Sequence, residues 1–96
     1  MDIQMSRHEV VFLYRRTESV NSPVEYIGGY NSDGTQWKVS LEKAIDGIER
    51  GKWGFYIKAN DSYYNIIVIS QEFEKKLCID FSNLKYLKID NFSLDY

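Results

Sequence analysis

Apolar positions recur with a helical period in only one part of this chain. Leu41, Ala44, Ile45 and Ile48 fall at i, i+3, i+4 and i+7, on one side of a 3.6-residue repeat. The spacing predicts one short amphipathic helix over about 40–50. Ser40 stands at the N-cap, where its hydroxyl accepts from a free backbone N–H of the first turn. Glu42 suits the positive end of the helix dipole and Arg50 the negative end, and Asp46 and Arg50 form an i, i+4 pair. Lys43 occupies the position from which a capping-box Glu or Gln would reach back, so that motif is absent. Gly51 supplies the left-handed residue that commonly ends a helix. Gly47 costs roughly 1 kcal/mol relative to Ala, which means either that a neighbouring strand packs close there or that a surface defect is tolerated. A helix of about eleven residues does not stand alone in water, so a sheet must hold it.

The remaining apolar stretches read as strands. Glu9 to Arg15 is rich in β-branched and aromatic residues and predicts a first strand after a loose lead-in over residues 1–7. A polar stretch with the only proline, Pro23, separates it from a second strand, Val24 to Tyr30, which pairs back on it. The paired Gly28 and Gly29 suggest a bulge or a close backbone approach. Asn31 to Thr35 is a turn by composition, and the helix follows. Trp53 to Ala59 and Tyr63 to Ile69, joined by Asn60-Asp61-Ser62, form the clearest hairpin signal. The second of these is the longest apolar run and belongs in the middle of a sheet. Lys75 to Asp80 reads as a fifth strand. From Phe81 to Tyr96 a short strand and an irregular tail are both open, with residues from about 90 to 96 loose. The order β-β-α-β-β-β predicts an α+β domain: one antiparallel sheet of about five strands, with the helix across one face. The whole of residues 1–96 reads as a single domain.

Composition narrows the functions. The formal net charge is −2 and the pI near 5.3, unlike a general nucleic-acid binder. The lone Cys78 forms no internal disulfide and no cysteine-rich zinc site. No apolar run approaches the roughly 20 residues of a membrane helix. Met1 to Ser6 has no basic segment followed by an apolar one, so the expectation is a cytoplasmic protein without a membrane partner.

Gly34, Trp37, Ser40, Glu42, Ala44-Ile45, Ile48-Glu49, Gly51 and Phe55-Tyr56-Ile57 follow an order of Gly-x-x-Trp, Ala-Ile-x-x-Ile-x-x-Gly and Phe-Tyr-Val-like strand. The pattern resembles a widespread bacterial family of small domains of unknown function, over roughly residues 24–70. Such members end in an Asn-Asn-Leu-Leu-like segment before a final proline. Here Ser82-Asn83-Leu84-Lys85-Tyr86-Leu87 stands in its place, with no proline. The resemblance implies a small single domain and supplies no activity.

Chemistry-bearing residues are sparse. His8 has no sequence-evident nucleophile or orienting partner, and Cys78, between Leu77 and Ile79, has no positive neighbourhood forced on it by spacing. Aligning Gly34 with the invariant glycine of a calcium loop puts Gly29 and Ser40 where Asp and Glu are required, so no metal is expected. Gly28-Gly29 opens no phosphate loop, and no spacing pairs two carboxylates. No catalytic residue and no cofactor is therefore expected. Arg15-Arg16, Lys38, Arg50-Lys52 and Lys75-Lys76, interleaved with aromatics, offer a stacking and phosphate-binding platform. Tyr30, Trp37, Trp53, Tyr56, Tyr63 and Tyr64 are either packing residues or, exposed together, a protein-binding patch. The expectation is a non-enzymatic interaction domain whose partner is another protein, in the manner of an inhibitor or a toxin-neutralising immunity protein. The alternative is a nucleic-acid-associated module.

Overall fold

The structure, a computed structural model, describes residues 6–19, 22–82 and 85–92. Among the described residues, eight strands and one α-helix run in the order β1 (Ser6–Glu9), β2 (Phe12–Arg15), β3 (Val24–Tyr30), β4 (Gln36–Ser40), α1 (Leu41–Glu49), β5 (Trp53–Ala59), β6 (Ser62–Gln71), β7 (Glu74–Asp80) and β8 (Tyr86–Lys88), and a 3₁₀ turn covers Ile89–Asn91. The strands form two sheets instead of the single antiparallel sheet expected. One holds β1-β5-β6-β7-β8, the other β2-β3-β4. The five-stranded sheet is mixed, because β1 runs parallel to β5 with Ser6 opposite Trp53.

The departures have local causes. The stretch read as one strand over 9–15 divides at Val10 and Val11. The Val10 N–H donates to Tyr56 O in the five-stranded sheet and the Val11 N–H donates to Gly28 O in the three-stranded one, at 2.8 and 2.9 Å. Two apolar residues in succession are suited to this, since each sheet claims one of them. Ser6 and Arg7, assigned to a loose lead-in, belong to β1, an edge strand whose polar residues gave no apolar signal. Strand β4 was missed because its five alternating residues run straight into the helix cap. At the other end, Asp90 and Asn91 close the 3₁₀ turn instead of hanging loose. Leu84 and the expected tail over 93–96 lie outside the described residues.

Elsewhere the pattern reading holds. Ser40 is the N-cap, accepting from the Lys43 N–H at 3.2 Å; Arg50 Nε donates to Asp46 Oδ1 at 2.9 Å, and Gly51 adopts φ of 70°. Strand β6 is the third of five in its sheet, as its apolar run suggested. Asn60 and Asp61, with φ of 52° and 64°, form the two-residue I′ connection of the β5–β6 hairpin.

The two sheets and the helix enclose one core. Ile27 from β3, Ala44 from α1, Phe55 and Ile57 from β5, Ile66 from β6, Leu77 and Ile79 from β7 and Ile89 from the 3₁₀ turn are all buried in it. Two close approaches explain glycines inside elements. A Cβ on Gly47 would lie 2.8 Å from Trp53 Cδ2, so the helix rests directly on that indole. A Cβ on Gly29 would run into the Glu9 carbonyl and the Trp37 indole. Gly29 thus lets β1 and Trp37 both close on β3.

Arg15 ties the segment after β8 to this frame. Its guanidinium donates to the carbonyls of Ser22, Asp90 and Phe92 at 2.8–2.9 Å, and Asp90 Oδ1 in turn accepts the Val24 N–H at 2.9 Å.

Candidate functional site

Strand alternation distributes the aromatic residues over three surfaces, so the six weighed as packing residues or a shared patch do not come together as one patch. Tyr64 faces inward opposite Ile57, its ring 4.8 Å from that of Phe81, and packs half-buried against the core. Tyr30 lies on the outer face of the three-stranded sheet. Tyr56 and Tyr63 lie on the outer face of the five-stranded sheet. Trp37 and Trp53 both pack on Phe55 between the sheets.

The outer face of the three-stranded sheet is the most aromatic surface. Phe12, Tyr14, Tyr26 and Tyr30 share it by register, together with Lys38, Gln36 and Gly28. The Phe12 ring stands 5.3 Å from Tyr30 and 6.0 Å from Tyr14. The Lys38 ammonium sits 4.4 Å from the Tyr14 ring centre and 4.5 Å from that of Tyr26, held between two π faces. Gly28 makes this possible, because a Cβ there would lie 3.0 Å from the Tyr14 ring. Tyr26 and Tyr30 are 39% and 56% exposed, and among the described residues no element lies over them. Of this group sequence reasoning singled out only Tyr30 as an aromatic contact. The even spacing of Phe12 with Tyr14, and of Tyr26 with Tyr30, was the signal that would have added the others.

On the five-stranded sheet, the outer face groups Arg7, Tyr56, Lys58, Tyr63 and Asn65. The Arg7 guanidinium lies 5.0 Å from the Tyr56 ring centre and donates to Asn65 Oδ1 at 2.9 Å. Tyr56 and Tyr63 meet edge to face at 5.6 Å, and the Lys58 ammonium is 6.0 Å from Tyr63. Further along this face, Cys78 is buried opposite Ile67 and Lys88. Desolvation raises its thiol pKa, and the nearby Lys76 and Lys88 charges only partly oppose this. A thiol held protonated in this way is a poor nucleophile.

Between the sheets, His8, Trp37, Trp53 and Phe55 form a ring cluster. Phe55 sits 5.6 Å from Trp37 and 6.1 Å from Trp53, and His8 lies 5.7 Å from Trp37 and 6.0 Å from Phe55. Together with Asn31 and Val39 they line a recess of about 130 Å³. The indole Nε1 of Trp37 is buried beside Gly29 with no hydrogen-bond partner among the described residues. His8 is half-buried in this cluster.

The expected basic platform is dispersed. Arg16, Arg50 and Lys75 pair with Glu25, Asp46 and Glu49, Lys76 pairs with Glu74, and Arg15 turns to backbone carbonyls. The carboxylates are also scattered over both sheets, the helix and the turns. In the Asn31–Thr35 turn the Thr35 hydroxyl donates to Asp33 at 2.6 Å and lowers its pKa, with the Thr35 N–H adding to the effect. Among the described residues no three of His, Cys, Asp and Glu come together as a metal site would require, and no helix is long and apolar enough to cross a membrane.

No protein-family model matches the chain, and no curated protein or solved structure is detectably similar to it. The pattern over residues 24–70 therefore assigns no family.

Proposed function

We propose that this chain is a non-enzymatic protein-interaction domain, acting in the cytoplasm, that docks through the outer face of its three-stranded sheet. The observation that carries the reading is the grouping of Phe12, Tyr14, Tyr26 and Tyr30 around Lys38 on a sheet face that no described element covers. Tyrosine presents large contact area with few rotatable bonds and keeps a hydroxyl for hydrogen bonding. Anchoring the rings on strands lowers the ordering cost that binding would otherwise carry. Among the described residues the strand-paired positions of this face carry one cation, Lys38, and no carboxylate, which favours a partner surface that is apolar with an acidic group near its centre. An inhibitor or immunity protein working by an acidic face over a basic active site finds no support in the scattered carboxylates. An inhibitor that works through the tyrosine face fits the same geometry.

The test is affinity capture from the native host's lysate with three baits: the wild type, Tyr26→Ala/Tyr30→Ala, and Tyr63→Ala. The reading expects one stoichiometric protein retained by the wild type and by Tyr63→Ala and lost by the double variant. Equal capture by all three baits would refute it. A second reading draws on Arg7 and Lys58 beside Tyr56 and Tyr63, a pair of stacking rings flanked by cations that suits single-stranded nucleic acid. It predicts capture that disappears with nuclease and with Tyr63→Ala, and that weakens steeply with salt.

A further inference from the structure

The recess between the sheets is independent of the tyrosine face. Trp37 and Val39 point into it from β4, whereas Lys38, between them, points to the opposite side of the same strand. Its walls are the two tryptophans, Phe55 and Val39, and besides the indole N–H groups its polar side chains are His8 and Asn31.

Size and lining limit what could enter. At about 130 Å³ the recess is well below the roughly 300 Å³ at which drug-sized or nucleotide ligands are accommodated. It is close to the engineered apolar cavity of about 150 Å³ that takes up benzene. No lysine or arginine lines it, so nothing favours a phosphate or carboxylate. The wall rings are mutually inclined, 35° between Trp37 and Phe55 and 67° between Trp53 and Phe55, so an entering ring meets both a face and an edge. The Asn31 amide nitrogen is already used, donating to Thr35 Oγ1 at 2.9 Å, which leaves its carbonyl oxygen as an acceptor. His8 adds an imidazole that donates from one nitrogen and accepts at the other when neutral.

We infer that this recess is a binding site for a small, uncharged, single-ring aromatic molecule carrying one hydroxyl group, of the phenol class. The ring lies among Trp37, Trp53 and Phe55, and the hydroxyl pairs with His8, beside the Asn31 carbonyl oxygen.

The chain's only two tryptophans both line the recess, so their indole N–H signals in a ¹H–¹⁵N NMR spectrum report on it selectively. Phenol titrated into the full chain is expected to shift both signals saturably. Cyclohexanol, of similar size but not flat or aromatic, is expected to shift them far less, and phenyl phosphate not at all. Val39→Ile adds a methyl group at the wall and is expected to weaken phenol binding about fivefold or more. His8→Ala, at the edge strand, leaves the apolar walls in place. It is expected to keep benzene binding while reducing the preference for phenol over benzene. The inference is overturned if phenol produces no saturable shift, if cyclohexanol binds as well as phenol, or if the His8→Ala preference is unchanged. Phenol binding of equal strength in folded Val39→Ile overturns the location.

Discussion

Replacing Gly47 with alanine sets helix propensity against packing. In an exposed helix interior the substitution gains about 1 kcal/mol. Here the new methyl carbon would stand 2.8 Å from Trp53 Cδ2 and 3.0 Å from Cζ3, and closer still to Cε3. The indole cannot retreat freely, because its edge is already packed on Phe55 at 6.1 Å. Forcing a methyl group into such a contact costs about 1–3 kcal/mol. The costs outweigh the gain, and Gly47→Ala is expected to destabilise by about 1 kcal/mol, lowering Tm by about 4–8 °C. A urea-denaturation double-mutant cycle with Trp53→Ala isolates the cause. Without the indole the same Gly47→Ala change should stabilise by about 1 kcal/mol, giving a coupling near 2 kcal/mol. If Gly47→Ala stabilises equally in both backgrounds, the glycine is a tolerated defect and the close approach plays no part.

The buried, unpaired Nε1 of Trp37 makes Trp37→Phe cheaper than its size suggests, since an unsatisfied N–H that costs about 1–3 kcal/mol is removed with the ring. Urea midpoints should place its loss within about 1 kcal/mol, and a loss above about 3 kcal/mol would contradict the reading. Arg15→Lys keeps the charge but not the fork that reaches three carbonyls, and should cost about 2 kcal/mol. Hydrogen exchange at the Val24 amide, which donates to Asp90, should rise with it; unchanged protection would show that Arg15 does not hold the C-terminal segment. Cys78 gives a pH dependence of definite sign. Its folded pKa is raised, so above its ordinary value of 9.0 the unfolded thiol has released a proton that the folded one retains. Stability therefore falls as pH climbs through that value, and the decline ends beyond the folded pKa. Urea midpoints followed from about pH 7 to about pH 10 should drop more for wild type than for Cys78→Ala, and parallel curves would refute the assignment.

The helix and the β5–β6–β7 meander were legible because each writes its own period and its own punctuation. Ser40 and Gly51 bound the helix, and Asn60-Asp61 supplies the positive φ angles of a tight hairpin. What escaped detection depends on distant partners. Nothing local to Ser6–Glu9 says that it will lie parallel to β5, since that pairing joins residues far apart in sequence. The division of 9–15 between two sheets is hidden for the same reason, because Val10 and Val11 differ only in which sheet accepts their amides. The aromatic residues were recognised as a set, but their sorting onto three surfaces follows from register. A one-residue shift in β4 would exchange Lys38 for Trp37 on the outer face.

The seam at Val10 and Val11 has a kinetic consequence. Adjacent amides of one chain are bonded to different sheets, so neither sheet can fray there without straining the bond to the other. The β5–β8 meander joins near neighbours in sequence and can assemble early, whereas β1 must close a long loop onto β5. The seam is then the last stitch of assembly. It joins the two sheets, so the amides of Val10 and Val11 are expected to share one level of protection against exchange with solvent.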